Sequence, residues 1–170
     1  SAVGVDEILQ RTGISRCSFY YYFKTKEGFG AELIDRYRLS ITQKLERCLS
    51  DTSLSPLGSL RAFVGEVRDE MARTDCRSGC LAGKLAQEVN TLPENFREQL
   101  SAVFAEWQDV FARGLKRAQE TGEISPELDC ASTAAFFWYG WEGALQRANL
   151  ELNIKPVDIF IGTFFSRLTG

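Results

Sequence analysis

Apolar residues recur at intervals of three and four along most of the chain, and no stretch keeps the strict alternation expected of a half-buried strand. The predicted fold class is all-α. The clearest run is Phe96, Leu100, Val103, Trp107, Val110, Phe111, Leu115 and Ala118, which predicts one long helix from Glu94 to Gln119, closed by Gly122. A second helix, from Asp129 to Leu150, carries Ala134, Ala135, Phe136, Phe137, Trp138, Tyr139 and Trp141. It is apolar nearly all round and must be covered on several sides. Ile159, Phe160, Phe164, Phe165 and Leu168 define a last helix from Val157 to Leu168. Further helices are expected from Lys26 to Cys48, Pro56 to Met71 and Leu81 to Glu88, the first a rod of about 35 Å at about 1.5 Å per residue. Pro56, Pro93, Pro126 and Pro156 each read as the opening of a helix. Two strongly apolar faces near the C-terminus exceed what one bundle needs, which predicts a two-fold homodimer.

Composition narrows the chemistry. The 170 residues are 44% apolar and 25% charged, as in an ordinary globular domain, and include no histidine. Serine triads, Cys-His pairs and His-ligated zinc sites all need an imidazole, so none can be built from this chain alone. The expectation is therefore a non-enzyme without a cofactor or metal. Five cysteines, Cys17, Cys48, Cys76, Cys80 and Cys130, form an odd set scattered through helical sequence. With no secretory leader, they suggest reduced thiols and a cytoplasmic protein. The longest strongly apolar window, around Ala134 to Trp141, is far short of the roughly 20 residues a membrane span needs. Residues 1 to 49 hold eight Lys/Arg against six acids, the remainder twelve against seventeen. A weakly basic module thus precedes an acidic body.

The informative segment runs from Val5 to Phe29, VDEILQRTGISRCSFYYYFKTKEGF. Val5, Ile8 and Leu9 make a short apolar face, Gly13 breaks the helix, Ile14 is a candidate buried staple, and Ser15 can cap a second helix from Arg16 to Phe23. Two short helices around a glycine turn make a helix-turn-helix pattern. Phe19 and Phe23, four apart, face inward; Arg16, Ser18, Tyr20, Tyr21 and Tyr22 are left on the open faces. Three consecutive tyrosines cannot all be core on one helix. Their hydroxyls, with Arg16, Ser18, Lys24 and Lys26, suit phosphate hydrogen bonds and base-edge contacts in the major groove of double-stranded DNA. Thr25 can cap the next helix, whose first N–H groups would attract a phosphate further.

The run GISRCSFYYYFKTKEGF resembles the signature of the TetR-type transcriptional regulators, in which an aromatic-rich F-Y-x-Y-F stretch and K-x-K-E lead into a long connecting helix. The resemblance implies base contacts from Ser15, Arg16 and Ser18, phosphate contacts from Tyr20, Tyr22 and Lys26, and either role for Tyr21. Cys17 stands where the family usually has glycine or alanine. The resemblance also implies a helix before the first one seen here, since the sequence starts at Ser1-Ala2-Val3 on what reads as the family's second helix. Roughly 20 to 30 preceding residues are expected, the length of an ordinary helix and an arm. The division implied is a DNA-binding module with its connecting helix over 1–48 and a sensing and dimerisation domain over 49–170.

The body is similar to a branch of that family with a G-C-L segment at the start of the sixth helix, here Gly79-Cys80-Leu81. Some members of the branch respond to electrophiles or oxidants through this cysteine. Cys80 lies near a predicted helix N-terminus with Arg77 and Lys84 close in sequence, an arrangement expected to lower its pKa. Cys76, four residues away, could form a disulfide with it. The alternative input is a small-molecule effector among Phe63, Val67, Met71, Cys80, Trp107, Phe111, Trp138, Tyr139 and Trp141, with Tyr139, Glu142 and Gln146 as polar handles. The reading is a homodimeric repressor that releases a pseudo-palindromic operator on effector binding or thiol modification. Its rivals are a thiol-dependent enzyme using Cys80 with Lys84 on electrophiles, and an adaptor docking its aromatic helix on a protein.

Overall fold

Polar caps and chain breakers set the helix ends. Ser15, Thr25, Ser55 and Asp129 each accept a hydrogen bond from a backbone N–H in the first turn of the helix that follows, satisfying donors no helix can pair internally. The computed structural model describes residues 4–169. Residues 1–3, where the expected preceding helix would join, and residue 170 lie outside the described residues. The elements are α1 Val5–Thr12, α2 Arg16–Phe23, α3 Lys26–Ser50, α4 Pro56–Arg73, α5 Leu81–Gln87, α6 Glu94–Glu120, α7 Cys130–Glu151 and α8 Lys155–Leu168, with a 3-10 turn at Val89–Thr91. No strand occurs among the described residues.

The proline expectation needs one correction. Pro56 opens α4 and Pro156 sits in the first turn of α8, while Pro93 is the residue just before α6. Pro126 instead lies in the turn between α6 and α7, and α7 begins only after the Asp129 cap. Gln119 Nε2 holds that turn by donating to the carbonyls of Ser125, Pro126 and Leu128 at 2.9, 2.9 and 3.0 Å.

The body is organised around α6. Its predicted apolar face is buried from Phe96 to Ala118, against α3 and α4 on one side and α7 on the other. The helix that reads as apolar all round, α7, is covered by α6 and α8. Phe111 stacks on Phe137 at 4.0 Å and Trp107 on Trp138 at 5.2 Å. Burying each such side chain contributes about 1.5–3 kcal/mol, to which the ring pairing adds about 0.5–1.5 kcal/mol.

The rod α3 belongs to both ends of the molecule. Ile34, Leu45, Cys48 and Leu49 are buried in the body core, while its first turns meet α2. Arg38 Nη1 donates to both oxygens of Glu106 at 2.9 and 2.7 Å, Thr42 donates to the same carboxylate at 2.6 Å, and Gln99 Nε2 donates to Ala31 O at 2.9 Å. A Cβ at Gly30 would stand 2.8 Å from Phe96 Cζ, so the ring lies directly on the α3 backbone. Any tilt of α3 therefore has to be accommodated by α6.

Candidate functional site

At the N-terminal end, α1 and α2 are joined through Gly13, whose φ of +69° is a left-handed conformation that glycine adopts without a Cβ penalty. Its N–H donates to Leu9 O at 2.9 Å and closes α1. Ser15 then opens α2: its Oγ accepts from Ser18 N at 3.1 Å and donates to Ser18 Oγ at 2.9 Å. Phe19, Phe23 and Phe29 form a triangle with ring centroids 5.2, 5.4 and 4.9 Å apart, which pins α2 to the start of α3. Phe19 is buried and Phe23 half-buried, as their spacing predicts. Ile14 corrects the expectation of a buried staple: it is 46% exposed, because the turn carries it away from the ring triangle.

The opposite side of α2 is open. Tyr21 and Tyr22 are 80% and 75% exposed, and Tyr20 rests its ring edge on Phe19 at 5.3 Å while remaining exposed. Ser15, Arg16, Ser18, Lys24 and Lys26 are exposed beside them. All eight residues expected to contact DNA are exposed. Two have other duties in the free chain: Ser15 caps α2, and Arg16 is ion-paired with Asp6 on α1. Lys24 has a φ of +58° and ends α2, and Thr25 Oγ1 accepts from Gly28 N at 2.9 Å to begin α3. Lys26 thus stands in the first turn of a 25-residue helix whose free N–H groups favour an anion.

Within the body, α3, α4, α6, α7 and the segment before α5 line a partly open cavity of about 290 Å³. Phe63, Val67, Met71, Cys80, Trp107, Trp138 and Trp141 line it, as expected from the sequence. Phe111 does not: it is fully buried against Phe137 and Phe164 as core. Tyr139 does not either, since it is 71% exposed on the outer side of α7. Of the three polar handles, Glu142 reaches the cavity, and Gln146 lines a smaller pocket beside it. Sequence reading missed Tyr37, Ser40, Ile41 and Lys44, which line the cavity from α3. Their signal was the spacing Ile34, Tyr37, Ile41, Leu45, an inward face on a helix treated as a rod.

The electrostatics of the cavity are unusual. Lys44 is ion-paired with Glu70 at its edge. Glu142 Oε1 is buried with no hydrogen-bond partner, and burial pushes this carboxyl up to about 7 against a weaker opposing hydrogen bond from the Cys80 thiol. The indole N–H of Trp138, one turn earlier on α7, is also buried and unpaired. Glu142 fits where it does because the facing residue on α5 is glycine: a Cβ at Gly83 would collide with Glu142 Oε2.

Cys80 requires a correction. Burial, reinforced by the charge of Glu142, drives its thiol well above the ordinary range, against a weaker opposing pull from the N–H of Gly83. Its Sγ accepts that N–H at 3.3 Å and caps the seven-residue α5. The helix N-terminus and nearby cations were expected to favour a thiolate; desolvation outweighs them. Tyr37 is pushed up in the same way, first by burial and then by Cys80. Cys76 and Cys80 are both free and buried, without the conceivable disulfide. No helix among the described residues is long and apolar enough to cross a membrane.

Comparison with known proteins bears on both regions. Residues 1–33 match the tetR family of bacterial regulatory proteins, and residues 56–164 match the tetracyclin repressor-like C-terminal domain. The chain is 43% identical over 164 residues to the transcriptional regulator AcuR of Cereibacter sphaeroides, covering 96% of this chain and 75% of that protein. It is 27% identical over 168 residues to the HTH-type transcriptional repressor DhaR of Mycobacterium sp., covering 99% of this chain and 83% of the relative. The crystal structure of regulatory protein TetR from Rhodobacter sphaeroides superposes with a TM-score of 0.92 at 43% identity, covering 95% of this chain and 86% of that one. The helix-turn-helix end and the helical body are thus matched separately and together, and the chain belongs to the TetR family of DNA-binding transcriptional regulators.

Proposed function

We propose that the chain is a homodimeric repressor whose two α2 helices enter successive major grooves of double-stranded DNA, and whose cavity takes a small effector that releases them. Ser15, Arg16 and Ser18 contact base edges, Tyr20, Tyr22, Lys24 and Lys26 contact phosphates, and Tyr21 serves either role. Arg16 exchanges its surface ion pair with Asp6 for a DNA contact at little cost, since exposed pairs are worth about 0–1 kcal/mol.

The observation that carries the reading is the double duty of α3. Its first turns hold α2 through the Phe19–Phe23–Phe29 triangle, and its middle supplies Tyr37, Ile41 and Lys44 to the cavity wall. An effector that displaces those side chains biases the position of α2 through one rigid helix, as a shift between two populations. A bound molecule is favoured over thiol chemistry as the input, because Cys80 is buried and burial raises its thiol above the ordinary range.

Dimerisation uses the outer faces of α7 and α8. Phe136, Tyr139, Gly143 and Leu150 form an exposed stripe on α7 at near-heptad spacing, and Ile159, Gly162 and Thr163 are exposed on α8. An open groove of about 470 Å³ lies between these helices, lined by Phe136, Phe160, Phe164 and Leu168. Such a contiguous apolar face is buried in a two-fold helix pairing.

Selection of duplexes from a random-sequence pool, followed by affinity measurement across salt concentrations, tests the reading. The expected winners are pseudo-palindromes with half-sites about 34–36 Å apart. Binding weakens steeply with salt, and Lys26→Ala lowers the slope of log K against log salt by about one unit. Non-palindromic winners, or affinity indifferent to salt, would contradict it.

A further inference from the structure

Trp138 and Glu142, on consecutive turns of one helix, both line the cavity, and each carries a buried polar atom without a partner, Trp138 Nε1 and Glu142 Oε1. Buried polar groups are nearly always paired, and the Cys80 thiol is a weak donor to the Glu142 carboxyl, so two residues of one cavity with orphaned polar atoms point to an absent ligand. Lys44 is already neutralised by Glu70, and no ion pair among the described residues includes Glu142. Lys84 lines the smaller pocket beside Glu142 without pairing with it, so the uncompensated charge in the wall of the cavity itself, when Glu142 is ionised, is negative. Around it Tyr37 meets Trp107 edge-on at 6.1 Å, Trp107 stacks on Trp138 at 5.2 Å, and Phe63 tilts against Trp138 at 6.4 Å. An aromatic wall beside a carboxylate is the chemistry that holds an organic cation, through ring faces and a charge-assisted hydrogen bond. A water molecule would supply hydrogen bonds but would leave the charge uncompensated.

Building on the reading of this cavity as the effector site, we infer that its ligand is a small organic ammonium that also carries an oxygen acceptor. The ammonium donates to Glu142, the oxygen accepts from the Trp138 indole, and the apolar body lies against Tyr37, Phe63 and Trp107.

Isothermal titration of the intact protein with four molecules of one size tests this: 2-amino-1-phenylethanol, 2-phenylethylamine, 2-phenylethanol and phenylacetate. The expected order is the amino alcohol first, the amine next, and both at least about tenfold tighter than the neutral alcohol and the acid, as a charge-assisted hydrogen bond requires. Glu142→Gln, which keeps the shape, should erase the preference for the two amines. Trp138→Phe should erase the difference between them. Tighter binding of phenylacetate or phenylethanol, or an amine preference that survives Glu142→Gln, overturns the inference. Operator release is read in parallel. Amines that bind in the predicted order without releasing DNA support the ligand class and sink the effector reading. Release by the acid or the alcohol, with the amines inert, does the reverse.

Discussion

The molecule uses the same residue types in opposite ways at its two ends. In α1 and α2 the fully buried side chains are Leu9 and Phe19, and the tyrosines of α2 point outward with hydroxyls free for partners. In the body, Trp107, Phe111, Phe137, Trp138 and Trp141 are all buried, and Tyr37 is folded inward beside Cys80. The small end is held by caps and one triangle of rings, the large end by close-packed aromatic layers. Polar groups near the first remain available to a solvated polyanion. Two near the second, Trp138 Nε1 and Glu142 Oε1, are buried without a partner.

The change that would break this contrast most severely is Phe19→Ala. Removing a buried ring costs about 3–5 kcal/mol, more than α1 and α2 can absorb with so few other buried contacts. Amide exchange should show α1 and α2 opening while α6 and α7 stay protected, and DNA affinity should vanish. A uniform loss of protection across the whole chain would show that the two ends are one cooperative unit.

The next effect belongs to the cavity. Burial raises the Glu142 carboxyl from 4.5 to about 7, so folding favours its protonated form. The favourable contribution is complete below about pH 4.5 and is lost as pH rises through 7, a span worth about 3 kcal/mol. The titratable groups around it are Tyr37, Cys80, Lys84 and the Lys44–Glu70 pair, of which Tyr37 and Cys80 stay protonated throughout. Glu142→Gln should therefore gain stability relative to the parent chain between pH 5 and 8, read as the difference in denaturant unfolding free energy. A difference independent of pH would mean the carboxylate is hydrated in the fold.

A smaller effect sharpens the other side. Ser15→Ala removes the cap of α2 at a cost of about 1 kcal/mol, visible as faster exchange of the Ser18 amide and weaker operator binding, with the body unchanged.

Local chemistry explains which features the sequence disclosed. The helix-turn-helix rests on Gly13, Ser15 and Thr25, whose caps act within three residues, and α6 rests on a long unbroken repeat of apolar positions. The unpaired state of Glu142 and Trp138 had no such signal, because it depends on what five segments fail to offer them. Cys80 shows the same limit: its neighbours in sequence are Arg77 and Lys84, while its neighbours in space include Glu142 and Tyr37. Pro126 was read as a helix start because proline marks that position often, but the amide of Gln119 holds it in a turn. Four non-glycine residues with positive φ, Lys24, Asp75, Cys76 and Leu152, end or join helices without any residue type that announces it.

The central claim is that α2 presents hydroxyls to DNA while its phenylalanines hold it in place. Operator affinity of the double variant Tyr20→Phe, Tyr22→Phe tests this most directly, because the change removes two oxygen atoms and leaves every ring. The account predicts a loss of about tenfold, from two hydrogen bonds to phosphate, with the unfolding midpoint of the free protein unchanged. Full affinity in that variant would contradict it.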